Sequence, residues 1–189
     1  MNLMKGQTMK TIFPVAIIAI WAASPMLATE LCKYTDDTQV YDSQSICVTS
    51  ALAPQGKNNY DIKALTDGNP STAWCEGVKG RGIGEIITLR WTNASAVDNI
   101  WLNNGYTKSN ASYTNNGRLR DVRLTLWPLD GLERRQMSFT LRDTPAEQAI
   151  PIPWPNLRPR QIEIEILSTY EGAKYRDTCL SEIWPDFGL

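Results

Sequence analysis

The sequence predicts an all-β sandwich, and three observations carry that prediction. Short runs alternate between apolar and polar residues, most clearly Q-I-E-I-E-I-L at residues 161–167. Clusters of glycine, proline and asparagine separate these runs, and no segment has the pattern of a convincing helix. Because successive side chains of a strand point to opposite faces, period-two runs between turn residues indicate packed sheets with one buried face each.

The predicted strands follow one another through the second half of the chain. We expect them at residues 85–91, around 100–102, and at 120–127, 136–141, 150–152, 161–167 and 179–184. Ile150 and Ile152 lie among prolines, which lack the N–H that a central strand needs, so their strand is expected at a sheet edge. The polar tract at residues 103–118 is predicted to be a loop.

The first 28 residues have the pattern of a secretory signal peptide. Two lysines precede an apolar run at residues 12–22, and small residues follow up to Ala28. A membrane anchor is the alternative, but the run is shorter than the ~20 residues that span a bilayer, and Pro14 interrupts it. We therefore expect a lead-in over residues 29–46 and one domain over residues 47–189. The expected location is secreted or periplasmic, without a membrane span after cleavage.

All four cysteines follow this segment, and an even count in an exported chain favours disulfides over free thiols. Three pairings are possible, and the sequence does not choose among them. We expect Cys32–Cys47, which closes a short loop, and Cys75–Cys179, which joins a turn-rich segment to the last strand. The chain has no C-x-x-C pattern, so neither a redox motif nor a zinc knuckle is supported.

The composition restricts the chemistry that this chain can perform. It has no histidine, which removes Ser-His-Asp triads, Cys-His pairs and His-ligated zinc. Glu163 and Glu165 form a carboxylate pair, but the alternation places both on the solvent face of one strand, so we do not interpret them as catalytic. The net charge of −1 lacks the basic excess of nucleic-acid binders. We predict a binding protein rather than an enzyme, with no nucleic-acid partner.

The turn-rich segment around Asp67 has the oxygen atoms of a cation site. Asp67, Asn69 and Thr72 place three oxygen-bearing side chains in one tight loop, and Ca²⁺ takes six to eight oxygen ligands. The alternative is that these side chains only hydrogen-bond the turn.

The polar tract at residues 103–118 is the candidate ligand surface. Sugars present hydroxyls to amides and charged donors, and flat C–H faces to aromatic rings. The candidates are Asn104, Tyr106, Lys108, Tyr113, Asn116 and Arg118, together with Lys79 and Arg81 from the glycine-rich loop at residues 77–84. Tyr106 is the expected stacking platform, and nothing in the pattern of the tract predicts that its side chains are buried. The alternatives are an ordinary solvated loop, or a ligand surface at residues 170–177.

Four segments in order carry a family resemblance: A-L-T-D-G-N-P-S-T-A-W, G-R-G-I-G-E, N-N-G-Y-T-K-S and Y-E-G-A-K-Y-R-D-T-C-L-S-E-I. They resemble the discoidin-like (coagulation factor 5/8 type C-like) jelly rolls, most closely the glycan-binding, translocation-type domain attached to streptococcal NAD glycohydrolase. The resemblance covers residues 47–183. It implies a galactose-binding-like jelly roll that binds glycan or a cell surface through its loops.

The resemblance also implies that Glu182, an acid near the C-terminus, completes a structural cation site with the Asp67 loop, most simply for calcium. NAD hydrolysis is not expected to carry over, because the chain leaves no room for the enzyme domain. The prediction is a secreted, non-catalytic module that binds carbohydrate. The alternative function is an exported protein-interaction module, such as a subunit or inhibitor that docks an enzyme.

Overall fold

The computed structural model describes residues 30–35, 44–93, 96–128 and 131–187. Within them the strands are β1 (Leu31–Thr35), β2 (Gln44–Val48), β3 (Trp74–Cys75), β4 (Ile86–Trp91), β5 (Asn99–Asn104), β6 (Gly117–Leu119), β7 (Asp121–Pro128), β8 (Arg135–Thr140), β9 (Gln148–Pro151), β10 (Pro159–Ile166), β11 (Thr169–Tyr170) and β12 (Thr178–Asp186). A 3-10 helix covers Ile62–Thr66, and one short α-helix, α1, covers Asn110–Asn115. The predicted signal peptide lies outside the described residues.

The strands form two sheets, as the alternating pattern predicts. The first sheet has the order β1-β2-β4-β10-β7-β8, and the second has the order β11-β6-β12-β5-β9 with β3 also paired to β12. All neighbouring strands are antiparallel except β6 and β12, which are parallel. The segment predicted as a lead-in contributes β1 and the start of β2 to the first sheet.

The core lies between the two sheets and follows the predicted alternation. On β10, Ile162, Ile164 and Ile166 are buried, and Ile164 sits in register with Ile87 of β4 and Leu124 of β7. Burying one such side chain contributes about 1.5–3 kcal/mol, so the central strands stabilise the sandwich. The strand with Ile150, β9, pairs with β5 alone among the described strands, which confirms the predicted edge position.

The tract at residues 103–118 is not the continuous loop that the sequence predicted, because it holds the end of β5, all of α1 and the start of β6. The Ser109 hydroxyl accepts from the Ser112 backbone N–H at 3.1 Å, and the Ser112 hydroxyl accepts from the Ser109 N–H at 2.9 Å. This reciprocal cap starts a helix that is too short to show a helical period in the sequence. Within the described residues, no helix has the length and apolar character needed to cross a membrane.

Both expected disulfides are present, Cys32–Cys47 and Cys75–Cys179. Each joins residues directly opposite each other on antiparallel strands, the first across β1 and β2 and the second across β3 and β12. The second disulfide therefore fixes the end of the Asp67 segment to the second sheet.

Candidate functional site

A concave pocket of about 260 Å³ lies where four segments meet at one end of the second sheet. We call it the tyrosine pocket. The residues that define its chemistry are Asn58, Tyr60, Tyr106, Asn116, Tyr175 and Asp177. They come from the segment after β2, the turn after β5, the end of α1 and the loop before β12, so only the folded sandwich brings them together.

Three tyrosine rings give the pocket its apolar surfaces. Tyr106 is only 8% exposed and packs with Cys75 and Cys179. Tyr60 meets the Tyr106 ring edge-to-face, with 6.2 Å between ring centroids. Tyr175 is 43% exposed. Tyr106 is therefore the base of the pocket, and Tyr175 is its accessible ring.

Amide and carboxyl groups supply the polar part of the pocket. Asn58 closes a two-residue turn with Gln55, since each backbone N–H donates to the other's carbonyl at 3.0 Å. The Asn116 amide nitrogen donates to the Ser112 carbonyl at 2.8 Å, which orients the amide. Burial raises the pKa of Tyr60, and the neighbouring Asp177 adds to that increase. The Tyr60 phenol is therefore neutral near pH 7 and can both donate and accept.

Arg118 lies behind the pocket and joins the loops that form it. Its Nη1 donates to the carbonyls of Asn116 at 3.0 Å and Glu171 at 2.9 Å. Its Nε and Nη2 donate to the two carboxylate oxygens of Asp143 at 3.1 and 2.7 Å. The Tyr113 hydroxyl also donates to Asp143 at 2.8 Å. Burial is the main cause of the raised pKa of Tyr113, and the Asp143 carboxylate adds to the increase. These contacts make Arg118 a positioning residue for two loops.

The Asp67 segment brings the Asp67 carboxyl group close to Glu182. The Asn69 N–H donates to Asp67 Oδ1 at 2.9 Å and to Glu182 Oε1 at 2.7 Å. The Thr72 hydroxyl donates to Asp67 Oδ2 at 2.8 Å, and the Asn69 side-chain oxygen accepts from the Ser71 N–H at 3.0 Å. The turn therefore makes the hydrogen bonds of the alternative interpretation.

The same carboxyl groups also fit a hard cation. Burial raises the pKa of Glu182 to about 7, and the adjacent Asp67 carboxyl adds to the increase. Two neighbouring carboxyl groups that compete for a proton are the environment that a divalent cation relieves. Asp67, Glu182, Thr72 and Asn69 together offer carboxylate, hydroxyl and amide oxygens, which are the donors that calcium takes.

A larger cavity of about 490 Å³ lies beside Glu182, between β2 and β4 of the first sheet and β12 of the second. Trp91 and Trp184 are among its lining residues. Thr35 and Gln44 also line it, and they flank residues 36–43, which lie outside the described part of the chain.

Residues 34–186 match the family model described as the NAD glycohydrolase translocation F5/8 type C domain. This chain belongs to that family. The predicted resemblance to the discoidin-like jelly rolls is thereby confirmed. No curated protein sequence shows a significant match to the domain.

Solved structures agree with the F5/8 type C fold at low sequence identity. The F5/8 type C domain of a Bacteroides fragilis protein has a TM-score of 0.58 at 14% identity, covering 82% of this chain and 95% of its own. The family 32 carbohydrate-binding module of C. perfringens NanJ, solved with galactose, has a TM-score of 0.56 at 16% identity, covering 75% and 92%. The lectin domain of lectinolysin, complexed with Lewis B antigen, has a TM-score of 0.54 at 11% identity, covering 76% and 92%. These similarities establish the jelly-roll fold.

Four of the predicted ligand-binding residues of this F5/8 type C domain are buried, including the expected stacking platform Tyr106 at 8% exposure, so the expectation that nothing in the tract asks for burial was wrong. Asn104 is fully buried, donating to the Leu119 carbonyl at 2.7 Å and accepting from the Leu119 N–H at 3.0 Å. Tyr113 and Arg118 are 8% and 7% exposed. Burial is tolerated because each polar group is paired inside the fold. A direct ligand contact from Asn104, Tyr113 or Arg118 stays a prediction.

The other predicted residues of the domain lie in three places. Tyr106 and Asn116 line the tyrosine pocket. Arg81 lies beside the loop that precedes β12, where it pairs with Glu171 at 2.6 Å. Lys79 and Lys108 are exposed, and the tyrosine pocket does not include them.

Two groups of pocket residues were not among the sequence candidates. Asn58 and Tyr60 belong to a turn-rich segment that carried no motif. Tyr175 and Asp177 lie in residues 170–177, which the sequence offered only as the alternative surface. The signal that could have found them is the tyrosine between Lys174 and Arg176, an aromatic ring in a charged loop where nothing asks for a core residue.

Proposed function

We propose that this domain binds a glycan in the tyrosine pocket, as an exported module without catalytic activity. The observation that carries the proposal is the convergence of three tyrosine rings with amide and carboxyl groups on one concave surface. A sugar needs aromatic rings for its C–H faces and paired donors and acceptors for its hydroxyls. The pocket is smaller than the ~300–1,000 Å³ of drug-sized sites, which favours a terminal sugar over an extended chain.

The pocket residues have distinct roles in this proposal. Tyr175 is the stacking ring because it is the most exposed of the three, and Tyr106 forms the base. The sugar hydroxyl groups hydrogen-bond to the side chains of Asn58, Asn116 and Asp177. The galactose and Lewis B complexes of the similar structures support a glycan ligand.

Export and the absence of catalysis rest on separate observations. Two disulfides are typical of oxidising compartments, which supports a secreted or periplasmic location. The family is a translocation domain, and the sequence has no histidine, both of which favour binding over catalysis.

We also propose that the domain holds a structural calcium ion. Asp67 and Glu182 would provide carboxylate oxygens, with Thr72 and Asn69 as further oxygen donors. Calcium would neutralise the two carboxyl groups and tie the Asp67 loop to β12, which supports the sandwich.

A glycan array with the purified domain tests the main function, followed by titration of the best ligand against two variants. Tyr175→Ala should weaken binding about tenfold, a loss of ~1.4 kcal/mol, and leave the melting temperature unchanged because the ring is 43% exposed. Tyr34→Ala is the matched control, since Tyr34 is 75% exposed on β1 in the other sheet. An array without binding, or a Tyr175→Ala variant that binds like the Tyr34→Ala variant, would contradict the proposal.

A further inference from the structure

We infer that the glycan carries an anionic group, a carboxylate or a sulfate, and that a basic depression beside the tyrosine pocket binds this group. The inference rests on the proposed function and narrows its ligand class. Neutral sugars would occupy the tyrosine pocket alone, whereas an anionic substituent would reach the second surface.

The basic depression has a volume of about 220 Å³, and its chemistry is set by Arg81, Thr169, Glu171, Lys174 and Arg176. Tyr175 lines both this depression and the tyrosine pocket. One ligand can therefore contact both surfaces across a single tyrosine side chain.

The charges of the depression are unbalanced. Three cationic residues line it against one acid, Glu171, which pairs with Arg81 at 2.6 Å. Lys174 and Arg176 are exposed, and neither forms an ion pair with another described residue. Asp177 in the tyrosine pocket offsets one of these charges, so the two surfaces together keep a positive excess of one.

The Arg81–Glu171 pair does not close the depression. Both side chains are largely exposed, at 47% and 68%, and exposed pairs are weak because water screens them. An incoming carboxylate or sulfate can therefore also hydrogen-bond to the Arg81 guanidinium, because its planar arrangement of N–H donors matches both anions.

The loop that carries the cations is fixed in position. The Ala173 N–H donates to the Thr114 carbonyl at 2.9 Å, and the Lys174 and Tyr175 N–H groups donate to the Asn115 carbonyl at 3.1 and 2.8 Å. A Cβ at Gly172 would clash with that same carbonyl, so the loop packs closely against α1. This contact holds Lys174 beside Tyr175, with Nζ 5.0 Å from the ring centroid.

A second observation points to a polar occupant. The Thr169 hydroxyl is buried and has no hydrogen-bond partner among the described residues. Thr169 also lines the depression. A buried hydroxyl without a partner is costly, and rotation of the Thr169 side chain toward the depression would let a bound anion accept from it.

The experiment compares neutral glycans with their own sialylated and sulfated derivatives, by titration on the purified domain. One anionic form should bind about tenfold tighter than its neutral parent. The advantage should shrink between roughly 0.05 and 0.5 M NaCl because exposed charges are screened. The sialylated and sulfated arms distinguish a carboxylate ligand from a sulfate ligand.

The double variant Lys174→Gln with Arg176→Gln should bind the anionic glycan no tighter than the neutral parent, and bind the parent like wild type. Arg134→Gln with Arg135→Gln is the matched control, because both arginines are exposed and lie at the start of β8 in the first sheet. It should keep the anionic preference. Melting temperatures of both variants verify that they are folded.

Each contrary outcome has a separate meaning. Equal binding of neutral and anionic forms, with binding still weakened in Tyr175→Ala, overturns this inference and leaves the proposed function intact. An anionic preference that survives Lys174→Gln/Arg176→Gln, or that the control variant also loses, overturns it as well. No binding to any glycan means that the proposed function itself has failed.

Discussion

Asp67 and Glu182 accept hydrogen bonds from the same backbone N–H, that of Asn69, at 2.9 and 2.7 Å. The two carboxyl groups therefore face each other across one donor. Burial and the Asp67 carboxyl raise the pKa of Glu182 to about 7. The pair should make the stability of the domain sensitive both to pH and to divalent cations.

Without a cation, the free energy of unfolding should fall as pH rises from about 4.5 to about 7. The Glu182 pKa is about 7 in the fold against its ordinary 4.5, so the folded state binds a proton that the unfolded chain has already lost. The lowered pKa of Asp67 acts below its ordinary 3.8, outside this window. Melting temperatures measured against pH in excess chelator test the prediction.

Glu182→Gln is the control for this pH dependence, because the amide keeps the shape and cannot ionise. Its melting temperature should change less over the same pH range. Some slope should remain, since burial also raises the pKa of Glu76. Identical slopes for wild type and Glu182→Gln would show that the carboxyl pair does not control stability.

Calcium should stabilise the wild-type domain at pH 8. A ligand that binds only the folded state contributes about 2.7 kcal/mol at one hundred times its dissociation constant, and the gain rises with concentration. Asp67→Ala should remove the gain, whereas Asp98→Ala, which deletes an exposed acid elsewhere, should keep it. Equal melting temperatures in excess calcium and after exhaustive chelation would rule out the cation.

Much of the fold could be predicted because its signals are local. The alternation of β10 is visible within eight residues, and its burial follows directly from the period of a strand. The Asp67 loop was also predictable, since its oxygen atoms are close in sequence.

The tyrosine pocket could not be predicted in the same way, because its parts are distant in sequence. Tyr106 and Tyr175 meet only after β5 and β12 pair in the second sheet. From the sequence alone, Arg118 would be interpreted as an exposed charge. Its partners in the fold, Asp143 and the Glu171 carbonyl, lie 25 and 53 positions away. Polar residues in a tract do not by themselves distinguish a ligand surface from a buried network.

Arg118→Ala should destabilise the domain by about 2–3 kcal/mol. The change leaves Asp143 without its cation and the Asn116 and Glu171 carbonyls without a donor. Breaking a fully buried pair costs about 3–5 kcal/mol, and the cost here is lower because the Asp143 side chain is 39% exposed. Chemical denaturation measures this loss.

Arg118→Lys is the informative comparison for this residue. Lysine keeps the charge but cannot donate in four directions at once, so it should recover only part of the lost stability. Arg123→Ala removes an arginine whose side chain is 43% exposed, against 9% for Arg118, and should cost less than about 1 kcal/mol. If Arg118→Ala is as stable as Arg123→Ala, then Arg118 does not hold the loops and is free for ligand.

Removing the Cys75–Cys179 disulfide should weaken glycan binding, whereas removing Cys32–Cys47 should not. Tyr106 packs with Cys75 and Cys179, and Tyr60 packs on the same cluster, so the second disulfide supports the base of the tyrosine pocket. Chain entropy gives upper values of about 4.7 kcal/mol for its 104-residue separation and about 3 kcal/mol for the 15-residue separation of the other. The paired serine variants should therefore both melt lower than wild type, and Cys75→Ser/Cys179→Ser should melt lower of the two. Binding is compared at a temperature where both variants remain folded, by titration with the same glycan. Equal affinities in the two variants would mean that the pocket does not depend on the disulfide beneath it.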